Sequence, residues 1–238
     1  MPKVFLKAAW NNLVMANYEV DPAILAPYLP KHTELDLFEG KCYVSLVAFM
    51  FNNTKVLGMK IPFHVNFEEV NLRFYVKHNA NGENRRGVVF IKEIVSKPAI
   101  SFIANTLYNE HYETMKTAYY HSTENDNTRY TYLWGKDKSN LNSISFLTSE
   151  KKNPLQKGSK EEFITEHYWG YAGDENETTE YAVQHPSWNI LEYIDHSIDC
   201  NFSEVYGAEW AFLKNQKPSS VFMAEGSDIV VCKGKTIV

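Results

Sequence analysis

The sequence predicts a mainly β fold of the α+β kind, a sheet or barrel of antiparallel strands with a few short helices. Three observations predict it. Short segments that alternate polar and apolar residues recur along the chain, separated by turns rich in Asn, Asp and Gly. Aromatic residues are plentiful, with 15 Tyr, 14 Phe and 5 Trp, and such residues favour strands. The clearest segment, 67–76, sorts by strict alternation into an apolar face of Val70, Leu72, Phe74 and Val76 and a polar face of Glu69, Asn71, Arg73 and Tyr75, because successive strand side chains point opposite ways. With 238 residues the chain, 1–238, fits one domain of the larger all-β kind.

The elements follow in order. Residues 10–18 read as a strand with a polar flank. Asp21 before Pro22 is an N-cap followed by proline at the first helical position, which predicts a short helix ending by Leu29. Residues 35–38, a turn at Gly40 and the β-prone run 42–51 predict a hairpin, and 52–62 a loop. Strand 67–76 pairs with 88–95 across a turn through Asn79, Asn81, Gly82 and Asn84. Ser96 and Pro98 open a helix with Ile100, Ile103 and Leu107 on its apolar side, ending near Tyr108 and Asn109. Three more strands are expected at 116–121, 128–134 and 142–148. An exposed loop at 149–162 then leads to a hairpin of 163–171 with 179–184, and a strand at 187–194 follows. Helical spacing recurs over 202–213, and 220–231 reads as a last hairpin turning through Glu225 and Gly226.

Composition excludes several classes. The formal net charge is −5, and no Lys/Arg stripe with interleaved aromatics occurs, so no nucleic-acid partner is expected. The longest apolar run falls well short of the roughly 20 residues a spanning helix needs. The amino end carries no signal-peptide core, so the expected setting is the cytoplasm, without a membrane partner. Cys42, Cys200 and Cys232 give neither a disulfide framework nor a zinc spacing and read as buried thiols. The histidines show no metal-ligand spacing, and residues 233–236 lack the glycine of a phosphate-binding loop, so neither a metal nor a cofactor is expected.

The candidate site is the polar face of 67–76. Glu69 and Arg73 lie roughly 13 Å apart along one side of a strand. Arg73 would clamp a carboxylate or carbonyl oxygen and Glu69 would act as acid or base; the alternative is a buried structural ion pair. Asn71, Tyr75, Tyr108, His111 and His167 are candidate ligand-binding residues. Alternation over 166–171 sets His167, Trp169 and Tyr171 against Glu166, Tyr168 and Gly170. These residues suit a small-molecule-binding protein, with or without catalysis; an alternative use for the aromatic surplus is a core or an interface between copies of the chain.

The chain resembles the YqjF-like family, an uncharacterised group beside acetoacetate decarboxylase. The resemblance rests on Trp10 with Leu13; Val20, Asp21 and Pro22; Asp36, Phe38 and Gly40; Glu69, Val70, Asn71, Arg73 and Tyr75; Glu166 to Tyr171; His185, Pro186 and Trp188; and Glu225 to Ser227. It implies a cone-shaped antiparallel β-barrel flanked by further sheet and short helices, with an enclosed pocket for a small organic acid or carbonyl compound. In the decarboxylase a pocket lysine, activated by desolvation and a second lysine, forms a Schiff base. Residues 107–115, the corresponding stretch, contain no lysine, and Lys92 lies by alternation on the face of Val88 and Phe90. The resemblance therefore implies a retained pocket without that lysine.

Overall fold

The computed structural model describes residues 3–80 and 82–237, so Asn81 of the expected turn lies outside the described residues. The chain opens with β1 (Val4–Val20), followed by α1 (Pro22–Leu25). Asp21 caps α1 as expected, its carboxylate accepting a hydrogen bond from the Ala23 amide at 2.8 Å. Next come β2 (Glu34–Leu35), β3 (Cys42–Val56), β4 (Phe67–Ala80) and β5 (Glu83–Val95). Helix α2 (Pro98–Tyr108) ends at Asn109, whose left-handed backbone (φ 57°) turns the chain back. Strands β6 (Tyr112–Thr114), β7 (Lys116–Glu124), β8 (Asn127–Gly135) and β9 (Asn142–Pro154) precede α3 (Lys160–Thr165). The chain finishes with β10 (Trp169–Gly173), β11 (Thr178–Gln184), β12 (Asn189–Asp199), α4 (Phe202–Tyr206), β13 (Ser220–Cys232) and β14 (Lys235–Ile237).

All fourteen strands join one sheet among the described residues. Its pairings run β11, β10, β5, β4, β3, β1, β13, and β11 pairs with β13 in turn, so this path of seven strands returns on itself. From β13 the sheet also continues outward through β12, β9, β8 and β7. The pairing is not antiparallel throughout: β5 pairs in parallel with β10 and with β6. Parallel neighbours need a long crossover, and the excursion from β5 through α2 to α3 supplies it.

The two faces of β4 enter different cores. Val70, Leu72, Phe74 and Val76 pack with Val14, Ala16, Val44, Leu46 and the aromatics of β8 and β9. Phe67 and Tyr75 lie on the opposite side with Leu13, Phe49, Phe51 and Phe163. All three cysteines are buried and free.

Five expectations are corrected. Residues 163–165 are helical, not strand, because Ser159 caps a helix: Ser159 Oγ accepts from the Glu162 amide at 3.1 Å, and Glu162 Oε2 accepts from the Gly158 amide just before the cap at 2.6 Å. Strand β9 also runs on to Pro154, so the expected loop at 149–162 is largely structured. Residues 52–56 continue β3, Asn53 taking a left-handed conformation (φ 55°) in a strand whose pairing with β1 is irregular. The last hairpin is a single strand, β13, in which Gly226 (φ 83°) stays in register opposite Asn11 of β1 rather than turning the chain. Leu35 pairs with β4, while Phe38 and Lys41 close the local turn before β3.

Candidate functional site

A cavity of about 240 Å³ opens beside β4, lined mostly by apolar side chains from β1, β3, β5, α2, β11 and the residues around α3. Into it β4 sends Glu69, Asn71 and Arg73. Helix α2 covers it with Ala99, Ile100, Ile103 and Ala104, although the α2 residues Phe102 and Leu107 are exposed.

The adjoining strand adds a residue that alternation misplaces. Arg73 stands opposite Phe90, but Leu72 stands opposite Lys92 and Asn71 opposite Glu93, so the ladder carries an extra residue at this point. Such an irregularity shifts which residues share a face. Phe90 and Glu93 therefore line the cavity, while Lys92 turns away, donating to Glu113 Oε2 at 2.6 Å and to the Val205 carbonyl at 2.5 Å. No lysine is part of the described lining.

A third carboxyl arrives from the segment after α2. Asn105 clamps the backbone of Tyr112, donating to its carbonyl at 2.9 Å and accepting from its amide at 2.7 Å. The Glu93 amide donates to the His111 carbonyl at 3.1 Å, and β6 sets Tyr112 opposite Glu93. This extended segment points Glu110 and Tyr112 inward and His111 outward. His111 is exposed and outside the lining, which corrects its expected role.

Three buried carboxyl groups thus face one space. Asn71 Nδ2 donates to Glu69 Oε1 at 3.0 Å, and the Tyr112 hydroxyl to Glu69 Oε2 at 3.0 Å. The Tyr181 hydroxyl donates to Glu110 Oε1 at 2.5 Å. Glu93 and Glu110 are in side-chain hydrogen-bond contact with each other. Burial raises the pKa of Glu69 to about 7 against the opposing effects of Asn71, Tyr112 and Arg73. Burial likewise raises Glu110 to about 8, and it raises Glu93 well above the usual carboxylate range, with Glu110 and Glu69 adding repulsion.

Arg73 is buried, and its Nε has no hydrogen-bond partner. The expected alternative, an ion pair with Glu69, is not formed among the described residues; Arg73 acts on Glu69 only through its field. His167 lines the cavity with Trp169, so this is the face of 166–171 that turns inward. Its Nε2 lies 3.1 Å from Asp36 Oδ2, which also accepts from Arg86 Nε at 2.6 Å. Burial lowers the His167 pKa to about 4, with the Arg86 and Arg73 charges adding to it and Asp36 opposing. The ring is therefore neutral at neutral pH. Its Nδ1 is buried without a partner; with the proton on Nε2, toward Asp36, Nδ1 is an acceptor.

Tyr108 lines the cavity and packs edge-on against Tyr181. Tyr75 does not line it. Its ring lies 4.7 Å from that of His167, and its hydroxyl is 2.6 Å from Ser45 Oγ, so it supports His167 from behind and its expected contact with a ligand is corrected. Glu93 and Tyr181 are not among the residues to which the sequence points. The inward Glu110 and Tyr112 follow from alternation once residues 110–114 are read as extended, whereas no sequence signal marks the extra residue that turns Glu93 inward. Among the described residues no three His, Cys, Asp or Glu groups converge to hold a metal, and no helix is long and apolar enough to cross a membrane.

The fold and the lined cavity define a mostly β protein of acetoacetate-decarboxylase-like architecture. Acetoacetate decarboxylase from Legionella pneumophila superposes with a TM-score of 0.67 over 100% of this chain and 88% of its own, at 15% identity. An acetoacetate-decarboxylase-like enzyme from Sphingomonas wittichii RW1 gives 0.66 over 99% and 94%, at 11% identity. At these identities the likeness is one of fold. The chain belongs to the DUF2071 family of uncharacterized conserved proteins, which matches residues 7–228. Uncharacterized protein YqjF from Bacillus subtilis is similar to it, 24% identical over 199 residues, 82% of this chain and 78% of the relative.

Proposed function

We propose that the chain binds a small organic acid or carbonyl compound in this cavity, with Arg73 as the clamp for its oxygen and Glu69 as the group that gives or takes a proton. One observation carries the reading: Arg73 is a buried guanidinium that forms no ion pair among the described residues, and it faces a mostly apolar cavity. An uncompensated buried charge is costly, and a ligand carboxylate offsets that cost through charge-assisted, bidentate hydrogen bonds. Glu69, with a pKa of about 7, is poised to act as acid or base near neutrality. His167 Nδ1 adds an acceptor beside Arg73. The closed path of seven strands is read as the barrel around the ligand.

A Schiff-base route has no amine to use, since the described lining contains no lysine. That same observation favours a second reading, a binding or sensing protein that holds the ligand unchanged. A thermal-shift screen over carboxylic and keto acids tests the shared premise, because a ligand at about 100 times its Kd stabilises the fold by about 2.7 kcal/mol. The expected outcome is a shift with at least one acid that Arg73→Ala abolishes. Shifts that survive in Arg73→Ala overturn the clamp. Proton NMR of the hit over time separates turnover from simple binding.

A further inference from the structure

We propose that the ligand carries a cationic amine in addition to the acidic group at Arg73, and that Asn71, Glu69, Glu93 and Glu110 form the subsite for that amine. The inference rests on the reading that Arg73 holds the acidic end, and it specifies the other end of the same molecule.

The argument is a count of donors and acceptors. Asn71 Oδ1 and Glu93 Oε2 are buried with no donor, in residues only 1% and 3% exposed. Three donors nearby are already engaged, Asn71 Nδ2 and the Tyr112 hydroxyl on Glu69 and the Tyr181 hydroxyl on Glu110, and the Arg73 guanidinium is taken by the acidic end of the ligand. A plain carboxylic or keto acid brings acceptors and leaves these oxygens unpaired, which costs about 1–3 kcal/mol for each group. A primary ammonium brings three donors and no acceptor. Its charge also favours the ionised form of three carboxyls that burial shifts toward the protonated one, in a lining whose one permanently cationic side chain among the described residues is Arg73. A bound metal ion would do the same electrostatically, but no group of ligands converges for one among the described residues.

The spacing narrows the class. Glu69 and Arg73 are four residues apart on one strand, roughly 13 Å between backbone positions. A ligand that reaches from one to the other has its acidic and amino ends several bonds apart, and Phe67 and Phe90 line the cavity with these groups. An ω-amino acid matches this layout; an α-amino acid, with its charges on adjacent carbons, does not.

Isothermal titration of the intact protein with β-alanine, 4-aminobutanoate, 5-aminopentanoate and 6-aminohexanoate tests the proposal, each set against the unsubstituted carboxylate and the n-alkylamine of the same chain length. The expected result is that at least one ω-amino acid binds about tenfold or more tightly than its matched carboxylate, the worth of one charge-assisted hydrogen bond. In Glu93→Gln and Glu110→Gln the ratio should fall toward one, while affinity for the plain carboxylate is kept. The wild-type series is informative even if a variant fails to fold. Carboxylates that bind as well as their ω-amino counterparts overturn the amine subsite and leave the Arg73 clamp standing. Alkylamines that bind where no carboxylate does support the amine subsite and overturn the clamp. Binding by none of the three classes overturns both.

Discussion

Asn71 and Glu93 stand directly opposite each other on the antiparallel strands β4 and β5, although unbroken alternation from Val88 and Phe90 would have put Lys92 in that place. The irregular step between Leu72 and Arg73 exchanges a buried acid for a buried amine at the centre of the cavity wall. From it follow both the clustered carboxyls and the absence of a cavity lysine.

Stability should decline with rising pH through the carboxyl cluster. Glu110 holds its proton to about pH 8, against an ordinary value of 4.5. Between those values the folded state binds more protons than the unfolded state, so its stability is fully present below 4.5 and is lost as pH rises through 8. At about 1.4 kcal/mol per unit, the loss is on the order of a few kcal/mol. Glu110→Gln, which cannot ionise, should lose markedly less stability between about pH 5 and about pH 8 in denaturant melts. An identical pH dependence in wild type and variant would contradict the burial of this carboxyl.

Borohydride treatment with a panel of keto acids should leave the intact mass unchanged. The nearest lysine on β5, Lys92, is bonded to Glu113 and the Val205 carbonyl outside the cavity, and imine formation needs a free, deprotonated amine. A stoichiometric adduct mapped to Lys92 would show that the ladder shifts register in solution.

Replacing Gly226 with alanine should destabilise the fold by about 2 kcal/mol or more. A Cβ there would lie 2.0 Å from the Trp10 carbonyl oxygen, on a residue with φ 83°. Urea melts measure the cost, and a variant as stable as wild type would rule out this close approach of β13 to β1.

Much of this architecture was legible in the sequence. The Asp21–Pro22 cap, the proline opening α2, and the two-faced pattern of 67–76 rest on local chemistry that reads directly from residue type. Two of the corrections share one cause. A glycine with positive φ inside a strand looks like a turn, as Gly226 does, and an extra residue in a ladder reverses every later assignment of faces, as it does for Lys92 and Glu93. Whether a strand stays regular is decided by its partner across the sheet, which local pattern does not contain. His111 and Tyr75 illustrate the same limit at the site. Both have suitable chemistry, but one faces solvent and the other sits behind the wall. The Ser159 cap, by contrast, is local chemistry, hidden among lysines and a glycine that read as a loop.

The irregular step in β5 also bears on how such an interior can change. If the extra residue were displaced beyond Glu93, the same string of amino acids would present the Lys92 ammonium opposite Asn71 and send the Glu93 carboxyl to the outer side. The position of one unpaired residue in β5 therefore decides whether a carboxyl or an amine faces the cavity beside Asn71.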